Sequence, residues 1–360
     1  MTTSKKNTLI TLVTLAVVTA VFLICQVGVN TGTAWMSSTL KGQLVNICAW
    51  IMMAVSLNLV VGISGELSLG HAGFMSIGAF TAIIIASWLK RGKGMDSSWL
   101  RFVISAVAAV GISGLLGFLI GIPVLRLRGD YLAIVTLAFG QIISNVIRLL
   151  YVTVETDTGA LHMALKIGTG TPKLAGKDII KGAQGASRMP QDSTFVIGFI
   201  LVIITLVVVF NLTNSRSGRA IKAIRDNRIA AEAMGLKVTK YKLMAFVTGS
   251  ALAGLAGALY GLNQSSLQAG FFEYNKSIEV LVYVVLGGIG TIPGSIVSAT
   301  ALTILPEVLR AFSEYRMLIY AVFLILVMIL TNNPLTRTFF RSLRTRIFGR
   351  TDEEKRRDRL

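Results

Sequence analysis

Apolar runs dominate the chain, at about 9–29, 43–62, 70–89, 101–122, 131–151, 194–212, 243–263, 278–292, 295–312 and 316–332. Most approach the ~20 residues with which a helix crosses a hydrocarbon core. Lipid offers the backbone no hydrogen-bond partners, so each run must be a helix or part of a closed barrel. The runs are too continuous for barrel strands, which alternate. The pattern therefore predicts an all-α fold: a polytopic transmembrane helical bundle with about ten membrane segments, some broken or re-entrant. The whole of 1–360 reads as a single membrane domain.

Two stretches break this pattern. "GISGELSLGHAGF" (62–74) puts four glycines, two serines, a glutamate and a histidine between two apolar runs. "VVLGGIGTIPGS" (284–295) interrupts a second run in the other half of the chain, so 278–312 reads either as two spans or as a re-entrant pair. Broken helix at membrane depth is tolerated only where it packs in protein or lines a watery cavity. Paired interruptions in two halves point to a transport site. The candidate path or gate residues are Gly62, Gly65, Glu66, Ser68, Gly70, His71 and Gly73 in the first stretch and Gly287, Gly288 and Gly290 in the second. Gly117/Gly121 and Gly257/Gly261 have GxxxG spacing, which predicts close helix packing rather than chemistry.

Charge orients the bundle. Only 14% of residues are charged and 53% are hydrophobic, against about 25% charged in soluble proteins. The net charge of +18 comes from basic residues flanking spans, without the aromatic interleaving of a nucleic-acid surface. Segment 213–242 and the tail 333–360 are both strongly basic, which places them in the cytoplasm, and Lys5 and Lys6 place the N-terminus there too. The run after them is longer than a signal peptide's apolar core, so it reads as an uncleaved first span. The loop 152–193 is then extracytoplasmic; Lys90, Arg91, Lys93 and Arg101 fall on the same side, against the rule.

No catalytic or metal-binding constellation emerges. "GTGTPKLAGKD" (168–178) lacks the first glycine and the terminal Ser/Thr of a phosphate loop. The only histidines, His71 and His162, have no ligand spacing, and Cys25 and Cys48 read as small core residues. His162 reads as a loop residue. Among other ionisable residues in the spans, Arg148 reads as snorkelling and Glu279 as an interface residue. In 215–244, a helix capped by Ser217 or an earlier serine is predicted to run to Met234 and end at Gly235. It could lie on anionic lipid or dock a soluble partner.

Four blocks, in order, resemble the LivM-type permease family of branched-chain amino acid ABC importers. They are "SLNLVVGISGELSLGHAGFMSIGAF" (56–80), "RGDYLAIVTLAFGQII" (128–143), "SRSGRAIKAIRDNRIAAEAMGLKVTKYKLMAFVTGSALAGLAGALYG" (215–261) and "VLVYVVLGGIGTIPGSIVSA" (280–299). The resemblance implies a multi-pass permease of the bacterial inner membrane with both termini cytoplasmic. It implies a second, similar permease subunit, two ABC ATPase subunits and an extracytoplasmic binding protein. No cofactor belongs to this chain, and ATP is used by the partner subunits. The cytoplasmic segment 213–242 becomes the coupling loop, with Arg219, Arg225, Ala230, Ala231, Glu232 and Gly235 as ATPase-coupling residues.

The sequence departs from the family pattern at three places. Ile229 stands where ABC importers often carry the glutamate of Glu-Ala-Ala. Glu66 stands where the family commonly has Gln, and Gln141 where it often has Glu. The apparent exchange predicts that Glu66 and Gln141 are neighbours, which adds Gln141 to the path. Half-helix N-termini and freed amides could then meet a substrate carboxylate without a strong fixed charge. The function expected is ATP-driven import of Leu, Ile or Val. The alternatives are a related permease for sugars, nucleosides or urea-like solutes, and a self-sufficient secondary transporter.

Overall fold

The computed structural model describes residues 3–31, 38–127, 129–155, 160–166, 176–309 and 315–332. The basic tail 333–360 and most of 168–178 lie outside the described residues. The chain divides into two compact units, 1–303 and 304–360.

The helices are α1 (Thr3–Thr31), α2 (Ser38–Asn58, continued by a π-helical turn Leu59–Ile63), α3 (His71–Arg91), α4 (Ser98–Val124), α5 (Asp130–Arg148), α6 (Phe195–Asn214), α7 (Arg216–Asp226), α8 (Arg228–Ala233), α9 (Val238–Gly261), α10 (Tyr274–Gly287), α11 (Ile292–Val308) and α12 (Arg316–Asn332). Six stretches among the described residues are long and apolar enough to cross a membrane: Gly42–Ile63, His71–Arg91, Ser98–Val124, Asp130–Leu149, Phe195–Asn214 and Val238–Gly261. The protein is thus a multi-pass helical membrane protein. Each predicted run contains a helix, but the count of ten crossings is not reached on length. Val13–Val27 and Ile292–Val308 are shorter apolar helices. The 14 residues of α10 extend about 21 Å at 1.5 Å per residue, short of a ~30 Å hydrocarbon core.

Helix α9 is the hub of the larger unit and packs against α2, α3 and α4. Small residues make this possible. A Cβ on Gly257 would stand 2.0 Å from the Met75 carbonyl oxygen, and one on Gly117 would stand 2.6 Å from Ser250 Cβ. Both GxxxG pairs are helix contacts: Gly117 and Gly121 face α9, and Gly257 and Gly261 face α3. Ser113 of α4 donates to the Ser250 carbonyl at 2.7 Å.

The fold is not purely helical, which corrects the all-α expectation. Strands β1 (Leu150–Val154), β2 (Leu161–Leu165), β3 (Lys177–Lys181), β4 (Ala186–Ser187) and β5 (Ser266–Leu267) form an antiparallel sheet in the order β2-β1-β3-β4-β5. Most of it comes from the loop 152–193. Leu150 and Tyr151 begin β1, beyond the end of α5, because the β-branched run Val152-Thr153-Val154 favours extended backbone. His162 lies in β2, opposite Thr153, and not in a loop.

The segment after α5 gives partners to two of the cations that count against the expected orientation. Arg91 donates to the Asp178 and Arg188 carbonyls at 3.1 and 2.9 Å. Arg101 is buried and forms a two-pronged pair with buried Asp192, its Nε 2.9 Å from Oδ2 and its Nη2 2.5 Å from Oδ1. Breaking such a buried pair typically costs about 3–5 kcal/mol, because the remaining charge is stranded. Asp192→Ala is therefore expected to lower the unfolding midpoint in detergent markedly, whereas Asp178→Ala, at an exposed ion pair with Lys181, should shift it little. Equal midpoints would show that the Arg101 pair carries no stability.

Candidate functional site

The two glycine-rich breaks, far apart in sequence, meet. An amide buried in an apolar span is costly unless its hydrogen bonds are made. Asn58, buried in the last helical turn of α2, makes three, to the turn joining α10 and α11 and to the first turn of α11. Its Nδ2 donates to the Thr291 carbonyl and to Ser295 Oγ, both at 2.9 Å, and its Oδ1 accepts from Gly290 N at 2.8 Å. The backbones touch there: a Cβ on Gly62 would lie 2.3 Å from Gly290 N. Gly290 has φ +82°, a left-handed geometry that lets this turn present its amide to Asn58.

Beyond Ile63 the chain reverses. Gly65 turns at φ +77°, and Glu66 N donates back to the Val60 carbonyl at 3.1 Å. Segment 64–70 then runs non-helically to the start of α3, where His71 Nε2 lies 2.8 Å from Ser56 Oγ. Two of the freed amides are satisfied by side chains: Leu69 N donates to Thr136 Oγ1 at 3.1 Å and Ala72 N to Ser277 Oγ at 3.0 Å. Ser64 and Ser68 keep buried hydroxyls with no hydrogen-bond partner among the described residues. Gly70 and Gly73 lie against α5, at Thr136 and Gly140.

The basic segment 213–242 touches this junction directly. Arg225 Nη1 donates to the Gly62 carbonyl at 2.8 Å, and a Cβ on Gly65 would lie 2.6 Å from Arg225 Cγ. Lys242, at the start of α9, forms an ion pair with Glu66, both side chains largely buried. Gln141 is the neighbour expected for Glu66. Half-buried Gln141, on α5, makes no hydrogen bond to Glu66 among the described residues. The nearby Lys242 ammonium is the stronger partner for a carboxylate.

The predicted coupling helix is two helices. Ser215 caps α7 by accepting from Gly218 N, which settles the cap on the earlier serine. Asn227 is extended at φ −152°, ψ 102°, ends α7 and caps α8 through Ala230 N. Gly235 closes α8 at φ +80°, with Leu236 N returning to the Ala231 carbonyl at 3.1 Å. Arg219 donates to the Asn214 carbonyl, and Glu232 is paired with Arg228. Ala231 is buried in a small core with Ile224 and Val238, so it does not belong to a docking surface. Ala230 is exposed, as are Ile229 at 80% and Met234 at 83%. Burial, and then neighbouring Arg225, push the Lys222 ammonium pKa below its usual value.

Of the predicted path residues, Gly62, Gly65, Glu66 and Gly290 come together. Gly70, Gly73 and Gln141 belong to the α3–α5 side, His71 faces Ser56 of α2, and Gly287 and Gly288 serve their own turn against Gly294 and Thr291. Asn58, Lys242, Thr136 and Ser277 were missed. Only Asn58 carried a signal, a lone amide inside an apolar run. Two charged residues also find unexpected partners: Arg148 pairs with Glu273, and Glu279 accepts from Lys276 and Tyr283.

Broken membrane helices that meet over a basic, helical loop define a solute permease. Residues 39–331 match the family described as branched-chain amino acid transport system / permease component, and the chain belongs to that family. It is 35% identical over 292 residues to the high-affinity branched-chain amino acid transport system permease proteins LivM of Salmonella typhimurium and of Escherichia coli K12. Those alignments cover 78% of this chain and 66% of each relative. It is 25% identical over 311 residues to LivH of Escherichia coli K12, covering 85% of this chain and 93% of that one. No solved structure matches.

Proposed function

We propose that this chain is the membrane-spanning subunit of an ATP-driven importer of branched-chain amino acids. It forms half of the translocation path together with a second, similar permease. Two ATPase subunits hydrolyse ATP, and an extracytoplasmic binding protein delivers the substrate. The observation that carries the reading is Arg225: a side chain of the coupling segment grips the backbone where the two broken helices meet. A force applied to α7 and α8 thus reaches both breaks without passing through lipid-facing helix.

In this reading the coupling segment and both termini are cytoplasmic, the sheet end is outside, and the membrane is the bacterial inner membrane. An even number of crossings, ten in the simplest case, satisfies both termini. Exposed Ile229 and Met234 at the tip of α8 offer an apolar contact for an ATPase groove. The family and the LivM and LivH relatives favour branched-chain amino acids over sugars, nucleosides or urea-like solutes.

The test is reconstitution of the chain with its partner permease, ATPases and binding protein, followed by leucine uptake into ATP-loaded vesicles. Uptake that needs the ATPases and binding protein is expected; uptake by this chain alone would instead establish a secondary carrier. In the same assembly, the double change Ile229→Asp and Met234→Asp should weaken ATPase co-purification at least tenfold. Burying each of those side chains supplies about 1.5–3 kcal/mol, which an aspartate would forfeit. Undiminished co-purification would place the docking surface elsewhere.

A further inference from the structure

Glu273 immediately precedes helix α10, which carries Lys276 and Glu279, three residues apart, near its start. Glu273 pairs with Arg148 at the end of α5. Lys276 Nζ lies 2.7 Å from Glu279 Oε2, and the Tyr283 hydroxyl donates to Glu279 Oε1 at 2.6 Å. The result is a ladder of alternating sign, Arg148, Glu273, Lys276, Glu279, with two cations and two anions.

Lys276, in the middle of the ladder, lies level with the apolar stretch Gly42–Ile63. The Lys276 ammonium sits 5.5 Å from the Trp50 ring and 4.7 Å from the Phe271 ring. Trp50 is about 12 Å along α2 from Gly42, at 1.5 Å per residue. Ser277 accepts from Ala72 N in the first turn of α3. All four charged side chains nevertheless remain 27–36% exposed. Partly exposed charges at this depth face water or a cavity, because facing lipid is costly. The far end of α10 is the turn that docks on Gly62 and Asn58. The ladder therefore leads from the sheet end of the bundle towards the junction gripped by Arg225.

We propose that Arg148, Glu273, Lys276 and Glu279 line the solute path and recognise a zwitterion. The solute's carboxylate would take the place of a glutamate beside Lys276 or Arg148, and its ammonium the place of a cation beside a glutamate. Two pairs with no net charge suit a solute with one charge of each sign. A sugar or a urea-like solute makes no use of them, and an anionic or cationic solute leaves one ladder charge uncompensated. Phe271, half-buried beside Lys276, gives an apolar side chain a surface to lie on. The inference deepens the proposed function and rests on it for the substrate class.

The experiment uses the full reconstituted assembly with Cys25→Ser and Cys48→Ser. Lys276→Cys and Glu279→Cys are expected to react with a membrane-impermeant maleimide and to be slowed by saturating leucine. Val107→Cys, on the exposed face of α4, should not react. In parallel, Lys276→Met and Glu279→Gln should each raise the KM for leucine about tenfold, the order expected when one hydrogen bond to a charged group is lost. The exchange Lys276→Glu with Glu279→Lys should recover part of the loss. Absence of labelling at both 276 and 279, or single variants with normal KM, would overturn the proposal. Labelling of both cysteine variants, together with a wild-type assembly that moves no leucine, would refute the amino-acid importer and leave the water-lined ladder standing.

Discussion

Replacing Arg225 with alanine is expected to cut leucine uptake by the assembled transporter up to about a hundredfold, the upper range for one hydrogen bond to a charged group, while the ATPase subunits stay bound. Arg225 does two things at once. Its Nη1 holds the Gly62 carbonyl, and its aliphatic stem covers Gly65, where any larger residue would collide with it. The carbonyl it holds belongs to the π-helical turn that packs on Gly290. Removing the side chain frees α7 from both breaks but leaves the exposed face of α8 untouched. ATP hydrolysis should therefore continue in the variant, disconnected from transport. Arg225→Lys should fall between the two, because an ammonium reaches one carbonyl but lacks the planar fork that also holds Asp226. The measurement is uptake and ATPase rate on the same vesicles. Normal uptake in Arg225→Ala would remove Arg225 from the coupling route. Simultaneous loss of ATPase binding would make it a docking residue.

The two breaks were legible in the sequence because glycine clusters stand out against apolar runs. Their meeting was not. It is made by backbone against backbone, Gly62 against Gly290, with the Asn58 side chain, 232 positions from Gly290, tying them. Two glycines in contact leave no pattern of size or charge to read. The Glu66 partner was missed for a related reason. An exchange of residue types between two positions suggested a neighbour, but Lys242 supplies a full opposite charge from the start of α9, and hydropathy says nothing of which helices are adjacent. Local chemistry read more faithfully. The Ser215 cap and the Gly235 stop depend only on nearby backbone, and both were visible. Asn227, which splits the coupling helix, was equally local and was passed over because the apolar periodicity continues across it. Strand β1 was absorbed into a membrane run because Leu150 and Tyr151 extend the hydropathy of α5 without a break. The buried pair Arg101–Asp192 shows why counting charges has limits: a cation spent on a carboxylate no longer reports on membrane orientation.

Leucine at Gly78 is expected to prevent assembly of the bundle, whereas leucine at Gly111 should be tolerated. Both glycines lie within long apolar helices, so propensity and hydropathy treat them alike. Their surroundings differ completely. A Cβ on Gly78 would stand 2.0 Å from the Gly254 carbonyl oxygen and 2.4 Å from its Cα, and neither can move without separating α3 from α9. Gly111 has nothing within 4 Å of the same atom and lies on an exposed part of α4. Overpacking a tight core commonly costs about 1–3 kcal/mol even where side chains can adjust. Here the obstacle is backbone, so the cost should exceed that range. Because α9 also contacts α2 and α4, and carries Lys242 to Glu66, displacing it should disturb the junction as well as the core. The measurement is the yield of monodisperse protein in detergent and its thermal midpoint. A Gly78→Leu protein as stable as Gly111→Leu would mean that α3 and α9 are not held at this distance, and that the hub assigned to α9 is wrong.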